Sequence, residues 1–161
     1  MVAELRAPYG KRRIYVDTSV IGGCEDEPFR DASRKLVERF TRGELTLLLS
    51  PVLLEELARA PAQVRQVLDA VPPTHTELLE LPEAVQDLAR RYINRGALTG
   101  RMDADALHIA LATVSGADAL VSWNFRHIVN QRRIQIFDAV NREMGYQPVT
   151  IQSPWEFSDE E

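Results

Sequence analysis

RRIYVDTSVIGG, Arg12 to Gly23, decides how this chain is read. Ile14, Tyr15 and Val16 form an apolar run that stops at Asp17, followed by two hydroxyl residues and a small-residue turn or helix. β-branched and aromatic side chains suit a pleated, buried surface, so Asp17 is expected at the end of a buried strand. A carboxylate there is costly unless hydrogen bonds, a partner or a metal compensates it. That compensation has to come from elsewhere in the sequence.

Working outward, residues 12–17 predict a first strand. Phe29, Ala32, Ser33, Leu36, Val37 and Phe40 recur at helical spacing, with Gly43 placed to stop the helix. LTLLLS (45–50) is a second apolar strand, and Ser50–Pro51 make an N-cap and first-turn pair for the helix that follows. A short helix is expected over 61–70, before Pro72 and Pro73, while HTELLEL (75–81) reads equally as strand or loop. Val85, Leu88, Ala89, Tyr92 and Ile93 mark a helix that stops before Gly96. DADALHIALATVSG (103–116) is apolar around most of its circumference, the pattern of a buried helix. ADALVSW (117–123) is a strand, Ile134 to Met144 a helix and PVTIQ (148–152) a last strand. Apolar strands alternating with helices imply an α/β fold: a mainly parallel sheet flanked by helices on both faces. In such sheets the functional crevice lies beyond the carboxyl ends of the strands, where Asp17 would sit.

The chain has 161 residues, 45% of them hydrophobic and 27% charged, which suits one compact domain. The expected organisation is an N-terminal extension over 1–11, a single domain over 12–152 and a C-terminal tail over 153–161. Trp155 and Phe157 read as core or interface, and SDEE as solvated. One cysteine, Cys24, excludes a disulfide framework or a Cys-rich zinc site. No apolar run approaches a membrane span and no signal-peptide pattern opens the chain, so a cytoplasmic location without membrane attachment is the default expectation. The net charge of −5 weighs mildly against non-specific nucleic-acid binding. Yet Lys11 and Lys35 are the only lysines, and arginine suits bidentate phosphate contacts.

Several acidic residues are candidates to join Asp17. In SPVLLEELARA (50–60), at about 100° per residue, Glu56 falls inside the apolar arc, whereas Glu55 falls beside Arg59 and reads as a surface charge. On the buried helix Asp103 and Asp105 point to nearly opposite sides. Asp103 suits a capping role, and Asp105 sits beside Ile109 and Ala112, a modest preference for the site. Ser122 and Asn124 follow another buried strand, although Asn124 is also a natural turn residue. Asp118 stands at the other end of that strand and reads as a turn or cap. His108 and His127 lack the paired spacing of a zinc-binding helix and read as structural or supporting.

YVDTSV, SPVLLEEL, DALHIALA and ADALVSWNF together resemble the four ordered motifs of PIN-domain proteins, over most of the chain, and look closest to the small bacterial VapC-type toxins. The resemblance implies a single PIN-like domain whose acidic positions fall on Asp17, Glu56 and Asp105, with Thr18 or Ser19, and Ser122, supporting them. The fourth acidic position falls on Asn124, where many members carry aspartate. Asparagine offers an oxygen without charge, so it makes a weaker ligand and a poor base. The implied activity is Mg²⁺- or Mn²⁺-dependent hydrolysis of RNA phosphodiesters. Asp17, Glu56 and Asp105 would be the metal ligands, with Asn124 a weak ligand or an orienter of water. Hard oxygen donors suit those ions. A small antitoxin partner and a homodimer are family expectations, and a non-catalytic PIN-fold binding module is the alternative. A receiver domain would need a lysine late in the chain, and a haloacid-dehalogenase-like phosphatase an Asp where Ser19 stands. Walker A and GxGxxG patterns are absent.

Overall fold

The computed structural model describes residues 10–98 and 103–159. Residues 1–9 of the expected N-terminal extension and the last two residues of the tail lie outside the described residues. In chain order the elements begin with strand β1 (Arg13–Val16), helices α1 (Thr18–Gly23) and α2 (Arg30–Thr41), strand β2 (Thr46–Leu49) and helices α3 (Pro51–Ala58) and α4 (Ala62–Arg65). Then come strand β3 (Thr76–Leu78), helices α5 (Glu83–Asn94) and α6 (Asp103–Val114), strand β4 (Ala119–Val121), helix α7 (Gln131–Glu143), strand β5 (Ile151–Gln152) and helix α8 (Pro154–Asp159). All five strands are parallel, in the order β3-β2-β1-β4-β5.

The strands' period of two divides the core. Ile14 and Val16, Leu47, and Ala119 and Val121 point to one layer, closed by Leu36 and Phe40 of α2, Leu53 and Leu57 of α3, and Phe157 of α8. Tyr15, Leu48 and Leu120 point the other way, onto Leu88 and Tyr92 of α5, Ile109 of α6 and Phe137 of α7. The α/β architecture with helices on both faces is therefore present, with β1 in the middle of the sheet. None of the helices in the described residues is long and apolar enough to cross a membrane.

Local signals account for most of the boundaries. Ser50 Oγ accepts the Leu53 N–H at 3.0 Å, making it the N-cap of α3. Gly43, at φ +78°, and Gly96, at φ +80°, turn the chain out of α2 and α5 in the left-handed conformation glycine adopts most cheaply. At the sheet's other end Asp118 Oδ2 accepts the Arg13 N–H at 2.7 Å.

Other expectations are refined or narrowed. The helix read over 61–70 is one α-turn, Ala62–Arg65, followed by 3₁₀ geometry over Gln66–Ala70, as its one apolar face would allow. HTELLEL resolves into a three-residue edge strand. Helix α7 starts three residues before Ile134, because Asn130 Oδ1 accepts the Arg133 N–H and caps it there. Only Ile151 and Gln152 of PVTIQ pair as a strand. Residues 154–159 of the expected tail form α8, tied down by the fully buried Phe157 ring, while Trp155 stays 44% exposed.

Candidate active site

Asp17 follows β1 at the carboxyl rim of the sheet and is almost fully buried. It occupies the N-cap position of α1, yet its side chain makes no capping bond. Instead the Ser19 hydroxyl donates to Oδ1 at 2.6 Å and the Ser122 hydroxyl to Oδ2 at 2.8 Å. Each hydroxyl in turn accepts a backbone N–H: Trp123 to Ser19 Oγ and Asn124 to Ser122 Oγ, both at 2.9 Å. Two backbone dipoles are thus relayed onto one carboxylate. Burial still dominates and pushes the Asp17 carboxyl above the usual range, against the pull of His108 and the two hydroxyls, and the Asp105 charge pushes it further.

Glu56 of α3 faces inward, as its place in the apolar arc requires. Its Oε1 accepts from Thr18 Oγ1 at 2.5 Å and lies 2.7 Å from His108 Nε2. Hydrogen bonding to His108 is the main reason its carboxyl is held below the ordinary glutamate value, with Thr18 adding to it. On the far side of the buried His108 ring, Nδ1 lies 2.6 Å from the Tyr15 hydroxyl, which lies 2.8 Å from Ser50 Oγ. The Glu56 carboxylate only accepts, so Nε2–H donates to it; with the ring neutral, Nδ1 accepts the Tyr15 O–H and the Tyr15 oxygen accepts from Ser50 O–H.

Asp105 lies in the first turn of α6, partly buried, with Oδ2 3.2 Å from His127 Nδ1. Asn124 Oδ1 accepts the His127 N–H at 2.9 Å, so its side-chain oxygen closes its own turn. Asp103 begins α6, but its side chain lies outside the described residues. Glu55 pairs with Arg59 on the surface at 2.5 Å.

Tyr15 and Ser50 are the polar partners that sequence reasoning passed over: the first was read as strand filling, the second as a cap alone. The available signal was the phenol itself, since a tyrosine buried in a central strand finds a hydrogen-bond partner.

Among the described residues no three His, Cys, Asp or Glu side chains converge into a ready-made metal cage. The donor chemistry nevertheless fits a hard divalent cation. Mg²⁺ is held by one or two carboxylates, keeping several waters and taking the rest from substrate phosphate. Asp17 keeps lone pairs beyond its two hydroxyl bonds, and no described residue binds Glu56 Oε2.

Fold and site together define a parallel α/β protein with an acidic group at its carboxyl rim. The chain belongs to the PIN domain family, whose profile matches residues 14–131. No individually curated protein sequence is a significant match. In fold it is similar to VapBC2 from Rickettsia felis bound to a DNA fragment from their promoter, at 14% identity and TM-score 0.53, over 88% of this chain and 98% of that one. It is likewise similar to VapC20 from Mycobacterium tuberculosis, a sarcin-ricin loop cleaving toxin, at 15% identity and TM-score 0.54, over 84% and 98%. FitAcB from Neisseria gonorrhoeae matches at 16% identity and TM-score 0.54, over 88% and 98%.

Proposed function

We propose that this protein is a Mg²⁺- or Mn²⁺-dependent endoribonuclease that hydrolyses RNA phosphodiesters. The observation that carries the reading is Asp17: a carboxylate buried at the rim of the central strand, fixed by two relayed hydroxyls and pushed toward neutrality by burial and by Asp105. Such a group calls for a cation. Membership of the PIN domain family and the fold shared with a toxin that cleaves the sarcin-ricin loop support the same conclusion.

In this reading Asp17, Glu56 and Asp105 hold the ion, directly or through water. When bound, a divalent cation makes water more acidic and offsets charge on phosphoryl oxygens. The chain's own contribution is orientation. Ser19 and Ser122 lock the Asp17 carboxylate, and Thr18 with His108 turns Glu56 Oε1 inward, leaving Oε2 for the site. Asn124, neutral and engaged in its turn, orients water rather than acting as a base. A small antitoxin chain and a second copy of this chain are the partners proposed, the first by analogy with VapBC2.

The test is cleavage of end-labelled tRNA and mixed single-stranded RNA with Mg²⁺, with Mn²⁺ and with EDTA, beside Asp105→Asn. Metal-dependent cutting is expected, with a loss in the variant beyond the ~10–100-fold typical of an outer-shell partner. A folded protein that neither cuts RNA nor gains thermal stability from either metal sinks the reading and leaves a PIN-fold binding module.

A further inference from the structure

Beyond the acidic group, the carboxyl rim carries a set of aromatic rings that the hydrolysis does not use. Trp123 and Phe125 follow β4, and Trp155 follows β5. Because the sheet is parallel, both stand at the rim that carries Asp17. The rings form one body. Phe29 stacks on Trp123 at 4.2 Å and 28°, and Trp155 meets Trp123 edge-on at 4.6 Å. Phe125 lies 6.1 Å from Trp155 with planes only 24° apart.

The bed beneath the rings is rigid. The Trp123 indole donates to Ser33 Oγ at 2.8 Å. Gly23 lets it approach: a β-carbon there would meet Trp123 Nε1 and Ser33 Oγ at 2.6 Å each. The outer rings are half open, Phe125 at 43% and Trp155 at 44%, two of the four large apolar side chains exposed among the described residues. Exposed aromatic area gathered in one place marks an interaction site.

We propose that Phe125 and Trp155 form a stacking platform for unpaired bases of the RNA strand, next to the phosphate being cut, an inference that rests on the ribonuclease reading above. Three observations select this occupant. The platform is continuous with the acidic site: the Trp123 N–H bonds Ser19 Oγ, which bonds Asp17. In the sheet, β4, which leads to Phe125, is the immediate neighbour of β1, and β5, which leads to Trp155, is one strand further. The chain therefore leaves the sheet toward the rings roughly 5 and 10 Å from where it leaves toward Asp17. Arg126, next to Phe125, is exposed and has no carboxylate partner among the described residues, so a cation meets the strand's phosphates beside a predominantly acidic rim. Finally, π faces held rigidly bind bases with little ordering cost, and every unpaired base offers such a face. Bases inside a duplex do not.

The experiment uses the full chain, with Phe125→Leu and Trp155→Leu, substitutions that keep apolar bulk but remove the ring. Cleavage of a short mixed-sequence single-stranded RNA with Mg²⁺ should show KM raised about 5- to 150-fold per lost ring, with kcat little changed. With Ca²⁺ in place of Mg²⁺, RNA should quench parental tryptophan emission. The quench should vanish in Trp155→Leu, whose remaining indole is buried. A strand with abasic nucleotides should bind like RNA presented to the variants. Folded variants with parental KM, or abasic strands that bind as well as intact ones, refute the platform while leaving the nuclease in place, and assign these rings to a protein partner instead. A parent that shows no metal-dependent cleavage overturns the nuclease reading and the platform with it.

Discussion

Tyr15→Phe tests whether the buried relay behind Glu56 holds the site together. The substitution removes one hydroxyl and leaves the ring in place. It deletes the 2.6 Å bond to His108 Nδ1 and the 2.8 Å bond to Ser50 Oγ. Ser50 keeps the Leu53 N–H, so its loss is one modest bond, about 0.5–1.5 kcal/mol net. His108 is worse placed: it is 2% exposed, and an unsatisfied buried nitrogen costs about 1–3 kcal/mol. The sum is about 1.5–4.5 kcal/mol, or a Tm lowered by roughly 3–18 °C for a chain of this size. Thermal and urea unfolding in EDTA would measure it, with His108→Gln and the double variant closing a cycle. Coupling between the two positions should exceed about 1 kcal/mol. Effects that add within about 0.5 kcal/mol, the behaviour of independent sites, would show that the phenol and the imidazole do not form one network.

Two further outcomes follow from the same geometry. Burial raises the Asp17 carboxyl, so the folded chain binds that proton more tightly than the unfolded chain, and the stability it contributes is full at low pH and drains as pH rises through the raised value. Glu56, held low by His108, contributes in the opposite sense, above its ordinary value and lost as pH falls. In EDTA, Asp17→Asn should therefore remove the part of the Tm loss that sets in as pH rises above the ordinary aspartate range, and Mg²⁺ or Mn²⁺ should raise Tm in the parent only; parallel curves would contradict this. Phe157→Ala should cost about 3–5 kcal/mol by emptying the core position that anchors α8, read out in urea unfolding, whereas a change within 0.5 kcal/mol would mean that α8 is dispensable.

Burial pattern made much of this fold legible from sequence. Ile14–Val16, Leu47–Leu49 and Ala119–Val121 are apolar on both faces because helices cover both, so each reads as a central strand. The carboxylate after the first of them announces the rim. The same periodicity places Glu56 inward. What escaped lies in polar geometry between distant segments. The Tyr15 hydroxyl looks like strand filling until His108, from a helix far along the chain, is seen beside it. Asn124 was weighed as a site residue and as a turn residue, and its side-chain oxygen closes the turn onto His127. Residues 66–70 lack a second apolar stripe, so nothing in the spacing separates α from 3₁₀. Phe157, read as core or interface, is core, but the acidic residues around it hide the short helix that carries it.

The sheet order also governs when the site comes into being. Asp17 and Ser122 stand on adjacent strands but 105 residues apart in the chain, on either side of the point where the winding reverses between β1 and β4. A ribosome delivers Asp17 and Glu56 long before it delivers Ser122, Trp123 and Asn124. Until β4 pairs with β1, the first carboxylate has only one of its two hydroxyls and neither backbone dipole behind them. The setting of Asp17 is therefore completed late in synthesis, and a truncated product lacking β4 would carry Asp17 and Glu56 without the strand that holds the first of them in place.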